Sequence, residues 1–235
     1  MDDSTTSGGR PAEVVITPSP VATAAAEDGA ASQGLLERVA AGELRGAIRI
    51  WRPVPALALS RLDARRPGAA GARAAAERHR VRAVTRMSGG HAVALGSGSL
   101  CAGLAEPSRA LEGADGRYER MSEALLATLR ELGIDAQLGE LPGEWCPGTS
   151  SIRSGGVKLA GLAQRVVKGA GWVEAVVELA PDEDARALLA EAYEALELPL
   201  DTRTFGTVSE LLSRDVGFDE VAEPLAARLR RHLAG

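Results

Sequence analysis

Residues 157–179 constrain the fold more than any other stretch. The segments 157–167 and 172–179 are strand-like runs joined by Lys168-Gly169-Ala170-Gly171, the pattern of a β-hairpin. Strands joined so closely must pair antiparallel. Elsewhere, short apolar runs and helical stripes follow one another without the regular βαβ alternation that builds a parallel sheet. The expected class is therefore α+β: a central mixed, mostly antiparallel sheet flanked by helices.

Along the chain, residues 1–31 are Ser, Thr, Gly, Pro and Ala with scattered charge, and are expected to form a flexible N-terminal tail. One domain is expected over 32–235. Leu35, Leu36 and Val39 share a helical face, with Gly42 as the stop. Strands are expected over 47–51, 55–59, 81–87, 91–95, 100–104 and 134–138. Tyr118, Met121, Leu125, Leu129 and Leu132 form an apolar stripe, with Asp115 before it as a cap and Gly133 behind it as the stop. Further helices begin at Pro181 and at the Thr207/Glu210 capping box, and a last one carries Val221, Leu225, Leu229 and Leu233.

Aromatics make up only 3% of the 235 residues, so the core must be Leu, Val and Ala with close backbone approaches. A net charge of −5 disfavours a nucleic-acid partner. Cys101 and Cys146 are too few for a disulfide framework and fit a reducing compartment. His79, His91 and His232 show no metal-ligand spacing. No apolar run is long enough to span a membrane, and the opening Met-Asp-Asp is unlike a targeting signal. A cytoplasmic protein that needs no metal, no cofactor and no membrane is expected.

Chemistry concentrates in two segments. Glu144-Trp145-Cys146-Pro147-Gly148 places a cysteine in a Pro/Gly turn, and Lys158 enters a strand of small and apolar residues twelve positions later. A loop thiol either fills space or acts as a nucleophile that stores an acyl group as a thioester. Lys158 either points to water or supplies the ammonium that lowers the thiol pKa. On the second reading, Lys158→Ala stays folded and loses transfer. Ser88-Gly89-Gly90-His91-Ala92 is a glycine turn whose amides can hold a phosphate or a carbonyl oxygen, although most such turns are only turns. Arg86 lies at the pocket mouth or in solvent, His91 in a pocket or on the surface, and Cys101 reads as buried packing. Ala92, Ala102, Gly103, Ala160 and Gly161 are small enough to leave a slot for an acyl chain.

Three segments together resemble the biotin/lipoate protein ligase and acyltransferase family. Arg86-Met87-Ser88-Gly89-Gly90-His91-Ala92-Val93 resembles its acyl-pocket loop. Gly156-Val157-Lys158-Leu159-Ala160-Gly161-Leu162-Ala163-Gln164-Arg165 is similar to its Gly-x-Lys-x-Ala-Gly-x-x-Gln-Arg signature. Trp145-Cys146-Pro147-Gly148 resembles the turn of a subgroup that moves octanoyl groups from the glycine cleavage H protein to lipoyl domains of 2-oxoacid dehydrogenases. The resemblance implies a sheet related to class II aminoacyl-tRNA synthetases, Cys146 as acyl carrier, and Lys158 at the acyl carbonyl. Arg86, Ser88, Gly89, Gly90, His91, Ala92 and Gly161 would bind substrate. It implies no cofactor. The donor would be the H protein or an acyl carrier protein, and the acceptor a lipoyl domain. An ATP-dependent lipoate ligase and a non-catalytic binder of acylated carrier domains are the alternatives.

Overall fold

A computed structural model describes residues 10–18, 24–108 and 114–234. Its main sheet has seven strands. They are β1 (Ala12–Thr17), β2 (Gly46–Trp51), β6 (Ser99–Ser108), β10 (Gly169–Glu178), β9 (Val157–Val167), β8 (Ile152–Ser154) and β7 (Gln137–Leu138), in that spatial order. Only β1 and β2 run parallel, and every other neighbouring pair is antiparallel. The expected hairpin is β9–β10, which lies inside the sheet with β6 on its far side. A second sheet of three short strands, not separated from the first in the sequence reading, is formed by β3 (Ala56–Leu59), β4 (Arg82–Thr85) and β5 (Val93–Leu95), with β3 central.

Period-two alternation divides the side chains of the main sheet between two cores. Ile48 and Ile50, Leu100, Ala102 and Leu104, and Val173, Ala175 and Val177 face one side. There the helices α3 (Ala114–Glu131) and α6 (Phe218–Ala234) cover them with Met121, Leu125, Leu129, Val221, Leu225 and Leu229. Ala47 and Trp51, Cys101 and Ala105, and Trp172 and Val176 face the other side. This core is closed by α1 (Ala25–Ala40), the small sheet, α2 (Ala69–Arg78) and α4 (Glu183–Ala195). The Cys146 loop enters that second core, which fixes the side on which the chemistry lies. The expected capping box appears where α5 (Val208–Leu212) begins: the Thr207 hydroxyl accepts from the Glu210 N–H at 3.2 Å.

The expectation of a tail through residue 31 is corrected over its described part. Ala12–Thr17 pairs with β2, and α1 starts at Ala25. The run Val14-Val15-Ile16-Thr17 is β-branched throughout, which suits a half-buried edge strand. Asp28, within the supposed tail, is buried against Arg49 at 2.7 Å. Residues 1–9 and 19–23 of that span lie outside the described residues. Among the described residues no helix is long and apolar enough to cross a membrane.

Candidate active site

Cys146 sits in the loop between β7 and β8 with φ +41°, the left-handed region that costs a non-glycine residue about 1–2 kcal/mol. The conformation is held by a bond from outside the loop. The Cys146 N–H donates to the Tyr193 hydroxyl at 2.6 Å, and that hydroxyl donates to the Ala92 carbonyl at 3.1 Å. Helix α4 thus ties the cysteine turn to the strand that follows the glycine turn. Burial, and then the nearby Cys146 thiol, push the Tyr193 pKa well up, so the phenol stays neutral and able to donate.

Cys146 is 6% exposed, and its thiol faces two donors. The His91 N–H reaches Sγ at 3.3 Å, and Arg86 Nη2 reaches it at 3.3 Å while also donating to the His91 carbonyl at 2.7 Å. Burial opposes the Arg86 charge, but Cys146 and Glu174 outweigh it and its pKa is raised, so the guanidinium stays charged beside the sulfur. Arg86 Nε is buried and has no hydrogen-bond partner among the described residues. Gly90 makes the approach possible: at φ +85° a Cβ there would lie 2.6 Å from Cys146 Sγ and 2.8 Å from Arg86 Nη2. The sulfur thus receives one cationic donor and one backbone amide.

Lys158 is placed differently from expectation. It is fully buried, and Nζ lies 2.9 Å from Glu144 Oε1, 2.7 Å from the Trp145 carbonyl, 2.9 Å from the Cys146 carbonyl and 2.9 Å from Ser151 Oγ. It also stands 4.3 Å from the Trp145 ring centroid. Burial lowers its pKa, with Glu144 opposing the shift. The ammonium therefore grips the backbone of the cysteine turn, and Arg86 is the cation in contact with the thiol.

The glycine turn contributes backbone and shape more than side chains. The Ser88 hydroxyl donates to Glu174, which also accepts from Trp172 Nε1 at 3.1 Å. Gly89 and Gly90 line a cavity of about 420 Å³ that opens onto Cys146 and runs towards Tyr118 and Gln164. Ala92 is buried and offers its carbonyl to Tyr193. The His91 ring turns to Asp63, with Nδ1 3.1 Å from Oδ1.

A larger cavity of about 490 Å³ is lined by Arg86. Trp51, Val84, Met87, Val93, Cys101 and Val176 supply its apolar wall, with α1 along one side. Burial and the Glu174 and Glu178 carboxylates push the Cys101 thiol well up, so it stays protonated and acts as apolar lining. The slot expected over Gly103 and Gly161 is filled by tryptophan. A Cβ on Gly103 would lie 1.9 Å from the Trp172 ring, and one on Gly161 would lie 2.9 Å from the Trp145 ring. Those glycines admit tryptophans into the core, and the open volume lies against Cys101 and Val176 instead.

Sequence reasoning missed Glu144, Ser151, Tyr193 and Asp63. Glu144 had a local signal, a carboxylate two positions before the cysteine. Tyr193 had none, because it lies 47 residues away on a helix.

Known proteins are similar to this chain in sequence or in fold. An octanoyl-[GcvH]:protein N-octanoyltransferase of Geobacillus kaustophilus (strain HTA426) is 29% identical over 203 residues, 82% of this chain and 72% of that protein. The protein of the same name from Exiguobacterium sibiricum is 30% identical over 184 residues, 74% of this chain and 67% of that protein. Among solved structures, a lipoate-protein ligase A bound with ATP superposes with TM-score 0.73 at 19% identity, covering 96% of this chain and 86% of its own. A bipartite lipoate protein ligase from Thermoplasma acidophilum gives TM-score 0.63 at 19% identity, covering 95% and 83%. At those identities the structures establish the fold. Residues 25–230 match the model of the lipoyl protein ligase A/B catalytic domain, and the chain belongs to that family.

Proposed function

We propose that this chain is a cysteine-dependent octanoyltransferase of lipoate assembly. It would take the octanoyl group from GcvH or an acyl carrier protein, hold it as a thioester on Cys146, and pass it to a lysine of a lipoyl domain of a 2-oxoacid dehydrogenase. The catalytic unit would be a single domain, and no cofactor would take part. One observation carries the reading: a buried thiol with Arg86 and the His91 N–H on its sulfur, where Cys146 lines one cavity and Arg86 lines a larger one with an apolar wall. The names of the curated relatives supply the acyl group and the donor.

In the first half-reaction the Cys146 sulfur, having given up its proton, attacks the acyl carbon. The bond to the carrier breaks and the carrier leaves with a proton. Arg86 Nε, which has no partner among the described residues, would donate to the oxygen that becomes negative. In the second half-reaction a lysine amine attacks the thioester carbon, the C–S bond breaks, a C–N bond forms, and a proton returns to sulfur. From an acyl carrier protein the net change is thioester to amide and runs downhill. From the acyl-lysine of GcvH one amide replaces another, the uphill first half-reaction being recovered in the second, so neither route requires ATP.

The direct test mixes the protein with octanoylated GcvH in the absence of ATP and measures its intact mass. One octanoyl adduct that chases onto a lipoyl domain is expected. Attachment of free octanoate or lipoate that requires ATP and Mg²⁺, with no adduct on the protein, would establish the ligase instead.

The apolar cavity makes a second prediction. Val176 lies in its wall, and Val176→Phe fills space that the end of an eight-carbon chain would occupy. Excluding about three methylenes forfeits roughly 2.4 kcal/mol at ~0.8 kcal/mol each, a roughly fiftyfold loss for octanoyl. Butyryl transfer should stay close to normal in the same assay. Equal losses for both chain lengths would place the acyl chain elsewhere.

A further inference from the structure

The charge of this chain is unevenly distributed. The whole carries −5, yet residues 61–86 hold eight arginines against Asp63 and Glu77. Arg66 pairs with Asp63, and Arg78 pairs with Glu191. Arg61, Arg65, Arg73, Arg80 and Arg82 have no ion pair among the described residues, and all are exposed or half-exposed. Leu62 stands among them at 63% exposure, the largest value for a bulky apolar side chain among the described residues.

This face is continuous with the active site. Arg61 and Arg86 line the same apolar cavity, and Arg86 touches the Cys146 sulfur. The turn bearing Leu62 and Arg65 is anchored by Asp63, which binds the His91 ring. Alternation along β4 sets Arg82 on the same side as Val84, a residue of the cavity wall. A groove of about 420 Å³ runs along β4, an outer strand of the small sheet, lined by Arg73, Val81, Arg82 and Ala83 with Glu77 as its one carboxylate.

Unpaired arginines around an exposed leucine form a steering field with one apolar contact at its centre, and they cost the free protein no desolvation. We propose that this face, from Leu62 to the groove between Arg73 and Arg82, is the docking surface for an acidic face of the domain that carries the acyl-lysine. The inference rests on the acyl-transfer reading and names the partner's chemistry. The remainder of this chain is acidic and would repel such a domain, so it would be guided to the cavity mouth.

The test compares two octanoyl donors, octanoylated GcvH and the octanoyl thioester of a small neutral thiol, with the wild-type chain and Arg65→Glu/Arg73→Glu/Arg82→Glu. The variant should lose about tenfold or more in kcat/KM with GcvH, chiefly through KM, and keep the wild-type rate with the small thioester. Raising the salt should slow the wild type with GcvH and leave the small donor unaffected. Should the reversed variant misfold, Arg65→Gln/Arg73→Gln/Arg82→Gln should still show a several-fold loss confined to GcvH. Wild-type kinetics with GcvH in either folded variant, or equal losses with both donors, would overturn the proposal. So would a salt-sensitive dimer, or oligonucleotide binding, that the substitutions abolish while GcvH kinetics stay unchanged. If the wild type accepts octanoyl from neither donor, the acyl-transfer reading fails, and titration of GcvH against wild type and variant decides the docking surface separately.

Discussion

Cys146→Ala should fold normally and transfer no measurable octanoyl, with a loss of about three orders of magnitude or more. The fold should survive because the substitution removes one sulfur from the end of a loop. The bond from the residue 146 N–H to the Tyr193 hydroxyl belongs to the backbone and persists. Alanine meets the same left-handed φ of +41° at about the same cost as cysteine. Chemistry is lost because no other nucleophile stands in the thiol's place: Cys101 is buried in the apolar wall with its thiol held protonated, and Lys158 is enclosed by Glu144, Ser151 and two carbonyls. Cys146→Ser should also fail. A hydroxyl is far less acidic than a thiol, and one guanidinium cannot bring it into range at neutral pH. Mass measurement of the lipoyl domain, with a thermal melt of each variant, checks both outcomes. Transfer near wild-type rate by the alanine variant would remove Cys146 from the mechanism.

The two segments that stood out in the sequence do meet in space, and the reason they stood out is physical. A cysteine in a Pro/Gly turn and a lysine in a strand of small residues are both out of place unless something holds them. What the sequence could not show was which cation meets the sulfur. Strand alternation set Lys158 on the face of Ala160 and Leu162, but its contacts come from the preceding loop, whose path depends on a register shift at Ile152/Arg153. Arg86 follows the last residue of β4, and its N–H still bonds the Leu59 carbonyl at 2.9 Å before the chain turns. That geometry requires the small sheet, which the sequence did not separate from the main one.

The outline of the fold was accessible for the same kind of reason. The hairpin, the helix ending at Gly133 and the capping box at Thr207 are local patterns, and each was found. Strand β1 was hidden by the Ser/Thr/Pro composition around it, and only its parallel pairing with β2 gives the half-buried run Val14 to Thr17 a place. The acyl slot was misplaced because small residues open a cavity only if nothing large leans over them. Trp145 and Trp172 do so, although tryptophan is scarce in this chain.

Lys158→Ala should be destabilised by about 3–5 kcal/mol, a change from the expectation that this variant stays folded and loses only rate. The revision follows from Glu144. Its side chain is as enclosed as that of Lys158, and its carboxylate accepts from the Leu141 N–H at 2.9 Å, from the Ser151 hydroxyl and from the ammonium. Removing the ammonium leaves a buried negative charge with only neutral donors, and it frees the Trp145 and Cys146 carbonyls of their donor. A domain stable by roughly 5–15 kcal/mol would lose a large part of its margin. Denaturant midpoints should therefore fall sharply for Lys158→Ala and recover in part when Glu144→Gln is added, because the uncompensated charge is then gone. Transfer should not recover with stability in the double variant, since the cysteine turn still lacks the group that holds its carbonyls. A Lys158→Ala protein that melts like the wild type would mean that the Lys158–Glu144 pair does not hold the cysteine turn. A double variant that regains full activity would reduce Lys158 to a counter-ion for Glu144.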